Sequence, residues 1–125
     1  MYIEQVFDNT ANLSLDPIKL WEDNMHESWN DYKGSDMFVV IDNNEIVGGF
    51  AVYQDDSDGI KGHFCSGWAG RHKKVPTDRI IKQIASNVGD LYFKTDKRTA
   101  KILLEKVGKK VKTTDRFGYY IVRGK

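Results

Sequence analysis

Apolar residues recur along this chain at two different spacings, and the switches between them mark its elements. Residues 1–7 alternate, with Tyr2, Glu4 and Val6 against Ile3, Gln5 and Phe7, the period-two pattern of a strand. Asp8, Asn9, Thr10 and Asn12 break it. Asp16-Pro17 then sets an N-cap carboxylate before a proline at the first helical position, and Ile18, Trp21, Met25 and Trp29 follow at helical spacing, which predicts a helix over 17–29. A polar loop over 30–36 leads to an apolar run over 37–42, an Asn43-Asn44 turn, and a returning run over 45–54. The two-residue link makes this pair a hairpin. Asp55 to Gly59 reads as the closing turn, and 60–68 holds enough Ile, Phe, Cys and Trp for a half-buried strand.

Pro76 fits the first turn of the next helix, where Thr77 or Asp78 can offer an oxygen to the orphan amides. Ile80, Ile81, Ile84 and Val88 keep helical spacing, and Gly89 ends the run. Leu91-Tyr92-Phe93 reads as a short buried strand. Ala100, Leu103, Leu104 and Val107 line one face of a last helix that stops at Gly108, and 109–113 and 117–123 are two strands about a Thr114-Asp115-Arg116 turn. The order is β-α-β-β-β-α-β-α-β-β. It predicts an α+β fold: a single mixed, mostly antiparallel sheet of about seven strands with helices packed on it. At 125 residues the chain is expected to be a single domain spanning 1–125, large enough for one core.

Composition narrows the classes. A lone cysteine excludes an internal disulfide, and no Cys/His spacing suits zinc, so no metal is expected. No leader pattern and no apolar run near the roughly 18 residues of a membrane span is found, so the expected setting is the cytoplasm, with no membrane partner. The charges are segregated. Residues 1–59 carry two basic and thirteen acidic side chains, a net of −11, and residues 60–125 carry seventeen basic and five acidic ones, a net of +12. Such polarity fits a charged partner on one side, or two halves that neutralise each other.

The chemistry gathers between 60 and 108, where strand, basic loop, helix, strand and helix follow one another. Arg71-His72-Lys73-Lys74 precede a helix start beside a strand end, a generic anion site. His63 and Cys65 share one face of their strand. A histidine there can take a proton from an amine near neutral pH, although alternate strand residues also commonly pack under a helix layer. Cys65 lacks the partners of an acyl-carrying nucleophile. His26 falls on the polar side of the first helix. The DDSDG segment lacks the remaining ligands of a calcium loop and reads as a solvated turn, and Trp21, Met25 and Trp29 read as core.

The hairpin MFVVIDNNEIVGGFAVYQ and the tail YFKTDKRTAKILLEKVGKKV, set in this element order, resemble the GNAT superfamily of acyl-CoA-dependent N-acyltransferases over nearly the whole chain. The resemblance implies that acetyl-CoA binds at Trp68, Ala69, Gly70, Arg71, His72, Lys73, Lys74 and Thr77, with room for the pantetheine arm beside Gly67, Ala69 and Gly70. It implies His63 as base, and the first helix with its following loop as a border of the acceptor pocket. Two positions depart from the family. Its Q/R-x-x-G-x-G/A phosphate loop reads Arg71-His72-Lys73-Lys74-Val75-Pro76 here, so Lys74 and Pro76 stand where small residues belong and Pro76 removes an amide donor. The tyrosine that protonates the leaving thiolate in many members falls at Leu104, with Tyr92 and Tyr119 (or Tyr120) as substitutes.

Three readings follow. The first is an N-acyltransferase acting on a small-molecule or protein amine. The second is a catalytically degenerate GNAT-fold module, a phage-encoded virion component or host-interaction protein by its similarity to small acetyltransferase-like phage proteins, located in host cytoplasm or virion. The third is a nucleic-acid binder that uses the basic half.

Overall fold

The computed structural model describes residues 2–6, 16–32, 35–69 and 75–124. Seven strands and three helices follow in the expected order: β1 (Tyr2–Val6), α1 (Pro17–Met25), β2 (Asp36–Asp42), β3 (Glu45–Ser57), β4 (Ile60–Ala69), α2 (Thr77–Val88), β5 (Leu91–Thr95), α3 (Arg98–Val107), β6 (Lys109–Thr113) and β7 (Gly118–Val122). The strands form one mixed sheet in the order β1-β2-β3-β4-β5-β7-β6. β4 and β5 run parallel, Phe64 opposite Tyr92, while β1/β2, β2/β3, β5/β7 and β6/β7 are antiparallel. No helix among the described residues is long and apolar enough to cross a membrane.

The tight links are those the residue types demand. Asn43 and Asn44 adopt positive φ of 50° and 65°, and Asp58 and Gly59 of 52° and 82°, the handedness that matches the twist of paired strands. At the start of α1, Asp16 Oδ1 accepts from the Ile18 amide at 2.9 Å, with Pro17 in the first turn. Four boundaries differ from the sequence reading. α1 ends at Met25 rather than 29 because His26 turns left-handed at φ 58° and its N–H closes on Glu22 O at 3.0 Å. Trp29–Tyr32 forms a separate 3₁₀ helix, its first amide held by Glu22 Oε2 at 2.8 Å. β3 continues through Asp55, Asp56 and Ser57, so only Asp58-Gly59 is turn. Pro76 is the N-cap of α2 rather than a residue of its first turn.

The chain packs as two compact units, 1–53 with 66–75 and 54–65 with 76–125. The first has a core of Trp21, Met37, Val39, Ile41, Ile46 and Ala51, against which Leu20, Met25, Trp29, Tyr32, Tyr53 and Trp68 pack. Ile18 stands 43% exposed instead of joining that face. In the second unit α2 buries Ile80, Ile81, Ile84 and Ala85, α3 buries Leu104, and both helices pack on β7, whose Tyr119 to Val122 are all buried.

Candidate functional site

In the first unit, the C-terminal part of β4 runs beside β3 with almost no space between side chains and backbone. A Cβ on Gly49 would lie 2.6 Å from Trp68 Nε1, and one on Gly67 would lie 2.2 Å from the Phe50 ring and 2.9 Å from Gly49 O. Glycine at 49 and 67 is what lets the Trp68 and Phe50 rings lie against the neighbouring strand. The Trp68 indole N–H is buried there without a hydrogen-bond partner among the described residues. Unmet buried donors are uncommon in folded proteins.

Beside this packing stands a wall of rings. Trp29 stacks on Tyr32 with centroids 5.9 Å apart, Tyr32 meets Tyr53 edge-on at 5.3 Å, and Trp21 lies edge-on to both Trp29 and Tyr32. The polar ends are tied down: Tyr53 OH and Ser66 Oγ are 2.9 Å apart, and Tyr32 OH donates to Glu27 Oε2 at 2.6 Å. Burial, reinforced by the Glu27 carboxylate, holds the Tyr32 hydroxyl well above the usual tyrosine range, so it stays protonated. Glu22 and Glu27 are exposed, whereas Trp29, Tyr32 and Tyr53 are half-buried.

In the second unit, the N-terminal part of β4 carries His63, half-buried, with Nε2 2.7 Å from the Gln54 amide nitrogen. With that amide as donor, His63 Nε2 is the acceptor and the ring proton sits on Nδ1. Cys65 is buried, and burial pushes its thiol far above the range in which it forms thiolate. Tyr92 on β5 lies against Gly62, where a Cβ would come within 3.0 Å of the ring, and against Phe64 with centroids 5.6 Å apart.

Tyr119 occupies a different network of the same unit. Its hydroxyl donates to Asp58 Oδ2 and lies 2.9 Å from Ser57 Oγ, while Lys112 donates to the Asp58 carbonyl. These contacts clasp the tip of the β3/β4 hairpin onto β6 and β7. The side chain is fully buried, and burial, with the Asp58 hydrogen bond adding to it, raises the hydroxyl above its ordinary range.

Three solved structures share this architecture from end to end. The N-acetyltransferase PseH of Campylobacter jejuni matches with a TM-score of 0.66 at 14% identity, covering 98% of this chain and 99% of that one. Aminoglycoside 6'-acetyltransferase type Ii matches at 0.67 and 18% identity over 100% and 98% of the two chains. A GNAT family acetyltransferase from Elizabethkingia anophelis, solved with acetyl-CoA bound, matches at 0.67 and 12% identity over 98% and 97%. The chain has the GNAT fold. Neither a protein-family model nor a curated protein matches its sequence.

Within the GNAT fold the residues singled out from the sequence fall into separate places. Trp68 and Ala69 end β4 in the first unit, and Thr77 opens α2 in the second. Gly70, Arg71, His72, Lys73 and Lys74 lie outside the described residues. His63 and Tyr92 sit on the paired strands β4 and β5, while Tyr119 belongs to the hairpin clasp. Leu104 is buried in α3. No group of three or more metal-ligating side chains exists among the described residues. Sequence reasoning passed over Tyr32, Tyr53, Ser66 and Glu27. The signal available was the cluster of rings and acids over 27–32, which lacks the periodicity of either element.

Proposed function

We propose that the protein is an N-acetyltransferase that moves an acetyl group from acetyl-CoA to a small-molecule amine. The observation that carries this reading is the match, over nearly the full length of both chains, to solved structures named as acetyltransferases. The residues present suit the cofactor in one respect: α2 opens shortly after the basic loop, so its dipole favours an anion there. Trp68, Ala69, Gly70 and Thr77 would border the cofactor, and Arg71, His72, Lys73 and Lys74 would meet its phosphates as charges in place of the family's glycine amides.

Acetyl-CoA supplies an activated thioester, whose C–S bond breaks as the new C–N bond forms. His63 would take the proton that the ammonium must lose before it attacks, with the Gln54 amide leaving Nε2 as the amine comes in. Tyr92 supplies the proton to the leaving sulfur. Tyr119 is assigned to the hairpin clasp and not to chemistry, because its hydroxyl is already engaged by Asp58 and Ser57. The ring faces of Trp29, Tyr32 and Tyr53 beside Glu22 and Glu27 suit a cationic amine, the form an aliphatic acceptor takes at neutral pH.

Titration calorimetry with acetyl-CoA, followed by thiol release with a panel of primary amines, tests the proposal. Saturable binding and amine-dependent thiol release are expected, with His63→Ala lowering kcat by about 100-fold or more. The absence of binding at millimolar acetyl-CoA would overturn it. That result would favour a GNAT-fold module without chemistry, for which Lys74 and Pro76 in place of small residues already speak. If affinity for acetyl-CoA appears only in a variant carrying Lys74→Gly and Pro76→Gly, the natural loop no longer holds the cofactor.

A further inference from the structure

The second unit contains a groove of about 620 Å³ that the acetyltransferase reading does not use. Lys82 from α2, Lys109 and Lys110 from β6 and Arg123 from β7 surround it, Val111 and Ile121 contribute apolar surface, and no carboxylate lines it. β6 is irregular along its edge. Lys110 stands opposite Tyr120 and Lys112 opposite Tyr119, which leaves Val111 as an extra residue. The bulge at Val111 bends the strand after Lys110, while Lys109 and Lys110, in regular register opposite Ile121 and Tyr120, still alternate, and Lys110 Nζ lies 5.9 Å from the Tyr120 ring centroid.

Arg123 is paired with Asp90 at 2.9 Å and Lys110 lies 3.9 Å from Glu105, but neither Lys82 nor Lys109 has a carboxylate partner among the described residues. Val111 is 46% exposed. The groove lies within the half of the sequence whose net charge is +12, so the field favouring an anion extends beyond the groove. β6 is also the last strand of the sheet. Its lysines and its bulge are the devices that stop a further strand from adding to an edge, which disfavours an extended peptide as the occupant. Lysines acting as point charges over an extended basic surface suit a chain of phosphates.

We infer that this groove binds the phosphodiester backbone of nucleic acid, without sequence preference, through Lys82, Lys109, Lys110 and Arg123. The inference is independent of the acetyltransferase reading. The test is fluorescence anisotropy of a labelled 20-nucleotide duplex of random sequence with the full chain in increasing KCl. Binding at low salt is expected, with log K falling against log[salt] at a slope of about −3 to −4 for four cations. Lys82→Glu and Lys109→Glu are each expected to weaken binding about fivefold and to flatten the slope by about one, while their melting temperatures confirm folding. Lys61→Glu, an exposed reversal of the same unit outside the groove, is expected to change binding less than twofold. No binding at low salt, or an equal loss in Lys61→Glu, would overturn the assignment. Displacement of the duplex by acetyl-CoA would make the groove part of a cofactor site, and competition by polyglutamate at equal charge would reassign it to an acidic polypeptide.

Discussion

In the unit built from 1–53 and 66–75 the fastenings are rings: Trp21, Trp29, Tyr32 and Tyr53 meet with centroids 5.2 to 5.9 Å apart over an apolar core. In the unit of 54–65 and 76–125 the corresponding tasks fall to polar contacts. Asp58 holds Tyr119 and Lys112 at the hairpin tip, and Asp90 holds Arg123 and the Gly124 amide, each at 2.9 Å, at the end of the chain. Ring packing depends on shape and is indifferent to salt and proton concentration. Charge-assisted contacts depend on both. The contrast ranks the substitutions that should hurt each unit.

Trp21→Ala should have the largest effect. It removes a fully buried side chain from the ring cluster and should lower unfolding free energy by about 4 kcal/mol, read from the denaturant midpoint. Gly67→Val comes next at about 3 kcal/mol, since its Cβ would meet the Phe50 ring and the Gly49 carbonyl at once. Tyr119→Phe, which deletes only the hydroxyl of the clasp, should cost about 1 to 2 kcal/mol. If Tyr119→Phe proved as damaging as Trp21→Ala, the difference between the units would disappear.

The smallest effect at neutral pH, and the most diagnostic, belongs to Asp90. The Gly124 amide, and then Arg123, hold its carboxyl below the ordinary aspartate range. Between the two pKa values the unfolded chain binds more protons, so the contribution is complete above about 4 and fades as pH falls through the folded value. Thermal melts from pH 7 to pH 2 should show this loss in the natural chain and a flatter acid limb in Asp90→Asn. Equal acid limbs would mean that this clasp does not couple to folding.

Much of the architecture could be read from the sequence, because it is written in local terms. Period-two and period-3.6 runs, Asn43-Asn44, Asp16-Pro17 and the glycines at 89 and 108 each act within a few residues. What was misread is non-local. Trp29 looks like the end of a helix and residues 30–32 like polar loop until Trp21 and Tyr53 supply partners for the rings, and β3 reaches Ser57 because strand pairing continues through acidic residues that sequence preference assigns to a turn. The site was less legible than the fold. His63, Tyr92 and Tyr119 could be named as titratable residues, but the sequence did not reveal that Asp58 engages one of them and Gln54 another.

Cys65, the single thiol of the chain, is sealed inside β4 in its protonated form. A maleimide or iodoacetamide reagent can therefore reach it only when the surrounding strands part. Its alkylation rate under native conditions becomes a clock for those openings, obtained without adding a probe.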